Sequence, residues 1–262
     1  MTVAASVLLL RATTLPAGVF HGFSTRSGGV SKGGFASLNL GTKWGDDPDA
    51  VAENWSRVGL EGGFAPGQLV RARQVHGAEV VQAAAVRDDT EADALWMRRC
   101  DAESGALAAI GVMTADCVPL LLATADATVV AAVHSGWRGA ASNIAGRTVQ
   151  RLREEAAVDV STLFAAVGPC IEQLAFEVGE EVAGRFDAAH LHLLPGGRPR
   201  LDLVAVVRGQ LVRAGLPESH IERVGGCTHA DARRFFSYRR DGAGTGQHVA
   251  FIGFRNDKKT TR

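Results

Sequence analysis

The sequence predicts an α/β or α+β fold in which residues 1–262 form one domain. Apolar runs of strand length, such as 129–133, alternate with stretches in which apolar residues recur at helical spacing. No linker-like stretch divides the chain, and no repeat or low-complexity tract occurs in it. A chain of 262 residues is long for an average domain but compatible with a single large one.

The N-terminal part is expected to contain strands, a loop and a helix. The apolar run VAASVLLL (3–10) has no basic residue before it, so it is interpreted as a first strand rather than a signal peptide. The Gly- and Ser-rich segment 21–41 is interpreted as a strand end followed by a long ordered loop. The tripeptide DDP (46–48) is typical of a helix start, and helical spacing of apolar residues continues to about Gly59.

Strands and helices are also expected to alternate along the rest of the chain. Residues 68–81 are interpreted as strand, turn and strand, with QVHG at the centre. Buried strands are expected in 110–122 and 129–133, where polar residues interrupt or end the apolar runs. Asn143 is expected to cap a helix. The remaining predicted elements are a strand at 163–168, a helix capped by Asp202 and running to Ala214, and a final strand at 248–254.

Composition argues against several classes of function. The 28 basic and 28 acidic side chains give a formal net charge of zero, which argues against binding to nucleic acid or to an anionic membrane. The four cysteines form no CxxC pair and are interpreted as free thiols of a reducing compartment, so the protein is expected to be cytoplasmic. No apolar stretch is long enough to span a bilayer.

Three short strings carry the residues of a candidate metal site. QVHG contains His76, TADC contains Cys117, and HSGWRG contains His134. Two imidazoles and a thiol favour zinc or copper over magnesium or calcium. The three residues are far apart in sequence, so a shared metal requires the fold to bring them together. Three protein ligands leave a position for water or substrate, which is typical of a catalytic site.

Each string also has a simpler explanation. His76 could be an exposed loop residue, Cys117 an inert packed thiol, and His134 a hydrogen-bonded residue in a strand-to-helix turn. Cys117 and His134 could instead form a nucleophile and base pair, as in cysteine hydrolases. A serine hydrolase is not supported, because the sequence lacks a GxSxG motif.

Further polar residues could complete a site for an anionic or polar ligand. They are found in STRSGG, SLNLG, QVHG, HSGWRG and SYRRDG, and comprise Arg26, Asn39, Gln74, Arg138, Arg239 and Arg240. Arginine side chains pair with phosphate or carboxylate through several N–H groups. Neither GxGxxG nor GxxxxGK[ST] is present, so the sequence does not support nucleotide binding by those loops.

Taken together, the motifs resemble those of a known family. STRSGGVSKGGFASLNLG, GDDPDAVAENW, QVHG, MTADCVPLLL, AAVHSGWRG, GPCI and FFSYRRDG occur in this order between about residues 20 and 255. This arrangement resembles the YfiH family, whose members are also called laccase-domain or polyphenol-oxidase-like proteins and peptidoglycan editing factors. The resemblance covers nearly the whole chain.

The resemblance implies a fold, a metal and several activities. It implies one domain with packed mixed β-sheets flanked by helices. It implies a single zinc ion whose ligands, matched motif by motif, are His76, Cys117 and His134. Family members act on purine nucleosides by adenosine deamination and by phosphorolysis of nucleosides and methylthioadenosine. Others are described as copper-dependent oxidases, or as enzymes that remove wrongly incorporated serine from peptidoglycan precursors.

The working hypothesis is a zinc-dependent purine nucleoside enzyme that uses a small nucleoside and phosphate. A multicopper cluster needs more ligands than the two histidines in these strings, so zinc fits better. Copper is expected in some family members. The alternatives are an amidase acting on muropeptide precursors, a copper-dependent polyphenol oxidase, and a metal-binding protein without catalysis. The expected catalytic residues are Asp116, Cys117, Arg26 and Arg240, and the expected substrate contacts are Asn39, Gln74, Arg138 and Arg239.

Overall fold

Two β-sheets lie face to face at the centre of the protein, and helices cover the outer face of each sheet. The structure is a computed structural model that describes residues 6–102, 107–193 and 195–255. Its strands are β1 (Leu9–Leu10), β2 (Val19–Ser24), β3 (Leu69–Val70), β4 (Val80–Gln82), β5 (Ala94–Arg98), β6 (Ala109–Thr114), β7 (Val118–Thr124), β8 (Val129–Ser135), β9 (Leu163–Val167), β10 (Leu191–His192), β11 (Arg200–Leu201), β12 (Ile221–Arg223) and β13 (His248–Phe254). Its α-helices are α1 (Pro48–Gly62), α2 (Arg99–Ala102), α3 (Trp137–Ala141), α4 (Ile144–Ala156), α5 (Glu180–Ala183), α6 (Leu203–Arg213) and α7 (Tyr238–Asp241).

Both central sheets are mixed. The first has five strands in the order β1-β2-β13-β6-β3, of which only β3 and β6 pair in parallel. The second has six strands in the order β12-β9-β7-β8-β5-β4, with a parallel pair at each edge and antiparallel pairs between them. Strands β10 and β11 form a separate antiparallel pair. The predicted class, a mixed α/β domain with packed sheets and outer helices, is confirmed.

Side chains of the central strands alternate between two cores. In β7, Leu120 and Leu122 pack with helices α4 and α6. Leu121 and Ala123 pack in the core between the two sheets. A third core, which includes Phe251, joins α1 to the outer face of the first sheet. Because both faces of the central strands are buried, these strands have uninterrupted apolar sequences.

The chain crosses from the first sheet to the second at residues 115–117. Strand β6 ends at Thr114 in the first sheet, and β7 begins at Val118 in the second. The end of β8 lies beside the start of β7, because Val118 pairs with Ser135. The crossing therefore places Cys117 and the end of β8 at the same edge of the molecule.

Most element predictions are confirmed. Strands form where they are expected in the middle of the chain and at its C-terminal end. Helix α1 has the predicted Asp47 cap, whose carboxylate accepts the Asp49 N–H at 3.0 Å. It runs to Gly62 and ends at Gly63, which adopts a left-handed φ of 85°. The first strand is shorter than expected, since β1 covers Leu9–Leu10 and residues 3–5 lie outside the described residues.

One of the two other predicted helix caps needs correction. The Asp202 carboxylate accepts the Ala205 N–H at 2.9 Å and caps α6 as expected. Asn143 precedes α4 but makes no side-chain cap, because its backbone is left-handed with a φ of 59°. Its contribution to the helix start is the backbone carbonyl, which accepts the Arg147 N–H. None of the helices in the described residues has the length and apolar character needed to cross a membrane.

The first sheet contains a buried histidine that must stay neutral. His248 is 4% exposed, and its Nε2 accepts the Phe236 N–H at 2.8 Å. Burial lowers the pKa of His248 to about 3, and the nearby charges of Arg26 and Arg240 act in the same direction. An unfolded histidine has a pKa of about 6.5. The stability contributed by neutral His248 is therefore complete above about pH 6.5 and is lost as the pH falls toward 3.

Replacing His248 with Gln should flatten the pH dependence of stability. The Gln amide oxygen can accept the Phe236 N–H but does not titrate. In the wild type this histidine should reduce the free energy of unfolding by about 1.4 kcal/mol per pH unit between pH 6 and 4. Urea unfolding over this pH range measures the slope, with the exposed His192→Gln as control. An equal slope in wild type and His248→Gln would contradict the assignment.

Candidate metal centre and cleft

The fold brings the three candidate ligands together. His76 lies in the turn between β3 and β4, Cys117 in the crossing between β6 and β7, and His134 near the end of β8. Their ligand atoms all lie within 4.8 Å of one another. The two imidazole rings meet edge to face, with 4.8 Å between their centroids. His134 is buried, Cys117 is half-buried and His76 is exposed, so the cluster reaches from the core to the surface.

The backbone around the cluster adopts uncommon conformations. His76 has a φ of 60° and Asp116 a φ of 93°, although neither is glycine. Such conformations cost about 1–3 kcal/mol each and persist where the surrounding structure enforces them. Gly136 directly follows β8, and a Cβ there would lie 3.1 Å from both Cys117 Sγ and His76 Cδ2. A side chain at Gly136 would crowd the ligand atoms, so glycine keeps the space at the cluster open.

A buried aspartate holds two of the three ligands. The Asp93 side chain is fully buried, and its Oδ1 lies 2.7 Å from His134 Nδ1. The same carboxylate accepts the N–H groups of Val75, His76 and Gly77 at 2.7–3.1 Å. The backbone carbonyl of Asp93 accepts the His134 N–H. In this pairing, His134 Nδ1 carries a proton and donates it in a hydrogen bond to the aspartate. The other ring nitrogen, Nε2, is then free to bind a metal.

The electrostatics of the cluster favour a bound cation. Burial alone would raise the pKa of Asp93, but the hydrogen bond and charge of His134 and the backbone N–H groups lower it. Burial would likewise raise the pKa of the Cys117 thiol, yet His134 and His76 bring it down to about 6. Burial would lower the pKa of His134, but Cys117 and Asp93 raise it to about 9. The half-buried Cys117 sulfur and the buried Asp93 carboxylate thus attract a proton or a metal ion.

The donor set fits a transition metal. One thiolate and two imidazoles suit zinc or copper and do not suit magnesium or calcium. Among the residues that the structure describes, this is the one group of three or more His, Cys, Asp and Glu side chains arranged to hold a metal. The aspartate behind His134 is the usual partner of a metal-binding imidazole. The cluster is therefore a candidate metal centre, and the donors alone do not distinguish zinc from copper.

Asp116, next to Cys117, joins three segments of the chain at the site. Its Oδ1 accepts the Thr228 hydroxyl at 2.5 Å, and its Oδ2 accepts the Ser237 hydroxyl and the Arg239 N–H at 3.0 and 2.6 Å. These bonds join the β6–β7 crossing to the segments before β13. Asp116 lines the cleft, but three donors already occupy its carboxylate. As an expected catalytic residue, Asp116 could either orient a metal ligand or transfer a proton, and its three hydrogen bonds favour the first role, through Cys117.

The cluster lines a cleft of about 860 Å³. Two aromatic rings at the cleft, Trp44 and Tyr238, stack with 5.5 Å between centroids and 20° between planes. Asp116 is the one acidic residue of the lining. The basic residues are more numerous and comprise Lys43, Arg73, Arg138 and Arg239. The cleft is thus electropositive although the whole chain has no net charge.

Three of the expected substrate contacts line this cleft: Gln74, Arg138 and Arg239. The amide of Gln74 exchanges two hydrogen bonds with the Met113 backbone and so joins the QVHG turn to β6. Arg239 donates to the Glu177 carbonyl at 2.8 Å. The Arg138 guanidinium lies over the Trp137 ring and makes no hydrogen bond or ion pair with the described residues.

The fourth expected substrate contact, Asn39, lies outside the cleft lining, as do the expected catalytic residues Arg26 and Arg240. All three side chains make contacts within the chain. Arg26 donates to the carbonyls of Ala36 and Ala232, and Arg240 donates to the carbonyls of Thr228, His229 and Phe235. The buried Asn39 amide bonds Gly41, Asp46 and Gln247. These bonds commit Arg26, Asn39 and Arg240 to contacts within the chain. The catalytic role expected of the two arginines and the substrate contact expected of Asn39 stay predictions. The three side chains shape the loops around the cleft.

Sequence reasoning missed Asp93 and the aromatic pair of Trp44 and Tyr238. Asp93 precedes the apolar strand β5, and a charged residue at the start of a buried strand needs a partner. That signal was available, but the partner, His134, is 41 residues away. Trp44 directly precedes the motif GDDPDAVAENW and Tyr238 lies within FFSYRRDG, but nothing local indicates that the two rings stack.

Comparison with known proteins identifies the family. Residues 20–255 match the family model described as multi-copper polyphenol oxidoreductase laccase. A purine nucleoside phosphorylase of Deinococcus radiodurans is 45% identical over 249 residues, which cover 94% of this chain and 92% of the relative. Purine nucleoside phosphorylase YfiH of Escherichia coli is 35% identical over 249 residues, covering 90% and 94%. The chain belongs to the YfiH family. The resemblance of the motifs is thereby confirmed.

Solved structures of the family share the fold. YlmD of Geobacillus stearothermophilus superimposes with a TM-score of 0.83 at 32% identity, covering 94% of each chain. Protein NMB0706 of Neisseria meningitidis has the same TM-score at 35% identity and covers 96% of this chain and all of its own. The two-sheet architecture is therefore that of the YfiH family.

Replacing Asp93 with Asn should weaken metal binding. The amide nitrogen would face N–H donors where the carboxylate now accepts them, so His134 and the His76 turn would lose their common anchor. We expect the dissociation constant for zinc to rise about 10–100-fold. Competition with a chromophoric chelator measures it, and Asp126→Asn, in the remote β7–β8 turn, is the matched control. Equal affinity in Asp93→Asn and wild type would contradict this role.

Proposed function

We propose that this protein is a zinc-dependent purine nucleoside phosphorylase. The observation that carries the proposal is the position of His76, Cys117 and His134 in the lining of an electropositive cleft with aromatic walls. Family relatives that match along most of the chain bear the name purine nucleoside phosphorylase. A cleft of about 860 Å³ has room for a nucleoside together with phosphate.

The reaction requires cationic groups beside the ribose. Phosphorolysis breaks the bond between ribose C1′ and purine N9, forms a bond between C1′ and a phosphate oxygen, and transfers a proton to the leaving purine. Arg138 and Lys43 line the cleft without an acidic partner in the described residues, so their charges are available to phosphate. Arg239 adds a third cation, held in place by the Glu177 carbonyl and the Phe176 ring.

The aromatic residues of the cleft suit a purine base. Tyr238 is 51% exposed, and its ring stacks on Trp44 at the cleft. Bases stack on such rings without regard to their hydrogen-bonding edges. One pair of rings could therefore accept adenosine, inosine and guanosine alike. Trp137 and Phe176 provide further apolar wall.

The proposal assigns the metal cluster to His76, Cys117 and His134, with Asp93 fixing the orientation of His134. Zinc, when bound there, supplies Lewis-acid chemistry and activates water for attack. We include in the proposal the deamination of adenosine, in which water replaces the C6 amino group and ammonia leaves. We also include phosphorolysis of methylthioadenosine, because it breaks the same bond between C1′ and N9.

Two other activities of the family are less well supported. A multicopper oxidase needs several ligand clusters, whereas the described residues hold one group of three ligands. Removal of serine from a peptidoglycan precursor would use the same cleft and the same cluster. Side-by-side assays with a nucleoside, a muramyl-serine nucleotide and a phenol plus copper would rank the three activities.

The direct test is turnover by the purified zinc-loaded protein. Inosine and phosphate should yield hypoxanthine and ribose 1-phosphate, and adenosine should yield adenine and inosine, all measured by chromatography. Cys117→Ala removes a metal ligand and should reduce each rate at least about 100-fold. Cys100→Ala removes an exposed thiol outside the cleft and should leave the rates unchanged. Absence of product from wild type, or full activity in Cys117→Ala, would overturn the proposal.

A further inference from the structure

A second recess opens beside the cleft. It has a volume of about 360 Å³ and shares Thr42, Lys43, Met113 and Gln247 with the cleft lining. None of the three candidate metal ligands lines it. The recess therefore extends the cleft on a side that lies away from the metal cluster.

Arg71 lines this recess, and its side chain lacks a polar partner in the described part of the chain. Its guanidinium lies 4.6 Å from the centroid of the Trp55 ring, and it makes no hydrogen bond or ion pair with any residue the structure describes. The nearest arginines in the sequence do have acidic partners, since Arg73 is paired with Glu91 and Arg57 with Glu53. An arginine in a concave site without an acidic partner is able to bind an anion.

The lining of the recess contains no acidic residue. Lys43, the second cation, lies at the boundary with the cleft, and its Nζ is 5.6 Å from the Trp44 ring centroid. The other walls are largely apolar and come from the loop before α1 and from the first turns of that helix. Both cationic side chains are exposed, so an anion can reach them from solvent.

The recess is also held in a fixed shape. The Trp55 indole N–H donates to the Leu40 carbonyl at 3.0 Å, which fixes the ring on which Arg71 lies. Trp55 belongs to α1, which is capped at both ends. A stacked guanidinium on a fixed ring loses little conformational freedom when it binds a planar or tetrahedral oxyanion.

We propose that the recess is a second oxyanion subsite, in which Arg71 and Lys43 bind a phosphate group carried by the substrate. The subsite would then favour a purine nucleoside monophosphate over the uncharged nucleosides that the proposed function also accepts. This inference rests on the proposed function for the purine and ribose, and it adds a specificity determinant remote from the metal cluster. Lys43 lies at the boundary and would then serve this subsite, and Arg138 and Arg239 remain available for the reacting phosphate.

The test compares the binding of adenosine 5′-monophosphate and adenosine to the zinc-loaded protein by isothermal titration calorimetry. Wild type should bind the monophosphate at least about tenfold more tightly, as one charge-assisted pairing provides. Arg71→Gln should remove this preference and leave adenosine affinity unchanged. Arg147→Gln, which removes an exposed charge on α4 outside both recess and cleft, should retain it.

The outcomes separate this inference from the proposed function. Equal affinities for the two ligands in wild type would overturn the subsite, as would a preference that survives in Arg71→Gln. Turnover of adenosine with no preference for the monophosphate would leave the proposed function intact and overturn the subsite alone. Arg71-dependent preference without phosphorolysis would support the subsite and overturn the proposed activity. Tighter binding of free phosphate to wild type than to Arg71→Gln, with no preference for the monophosphate, would also overturn the subsite for a phosphate carried by the substrate.

Discussion

The carboxylate of Asp93 is the interaction on which the candidate metal centre depends. One buried group accepts hydrogen bonds from the His76 turn and from the His134 ring, so it fixes two ligands that lie in separate parts of the chain. Its burial would be costly without these donors, and the donors would lack partners without it. The third ligand, Cys117, reaches the same place because the chain changes sheets there. The packing of the two sheets therefore also assembles the metal site.

The same arrangement concentrates charge. The chain has equal numbers of acidic and basic side chains, yet the cleft and its side recess contain five cations and a single carboxylate. That carboxylate, Asp116, is occupied by Thr228, Ser237 and the Arg239 backbone. An anionic co-substrate would meet little repulsion here, which the net charge of the protein alone does not indicate. The local field, rather than the overall charge, suits the site to phosphate.

Much of the fold could be predicted because its signals are local. Asp47 and Asp202 cap helices within a few residues of themselves, and the buried strands have continuous apolar runs. The site was harder to predict because its decisive contacts join residues that are distant in sequence, such as Asp93 and His134. Polar loop residues were the hardest to interpret. Asn39 forms hydrogen bonds within its own loop, but in the sequence such an asparagine cannot be distinguished from one that binds substrate. Asn143 illustrates a related limit, because its left-handed backbone prevents the cap that its residue type favours.

The most direct test of the central claim is zinc K-edge X-ray absorption of the zinc-loaded protein. A centre built from Cys117, His76 and His134 should show one sulfur at about 2.3 Å and two imidazole nitrogens at about 2.0–2.1 Å, with one further light atom. The sulfur contribution should disappear in Cys117→Ala. A shell of oxygen and nitrogen atoms without sulfur in the wild type would contradict the assignment of the three residues to one metal.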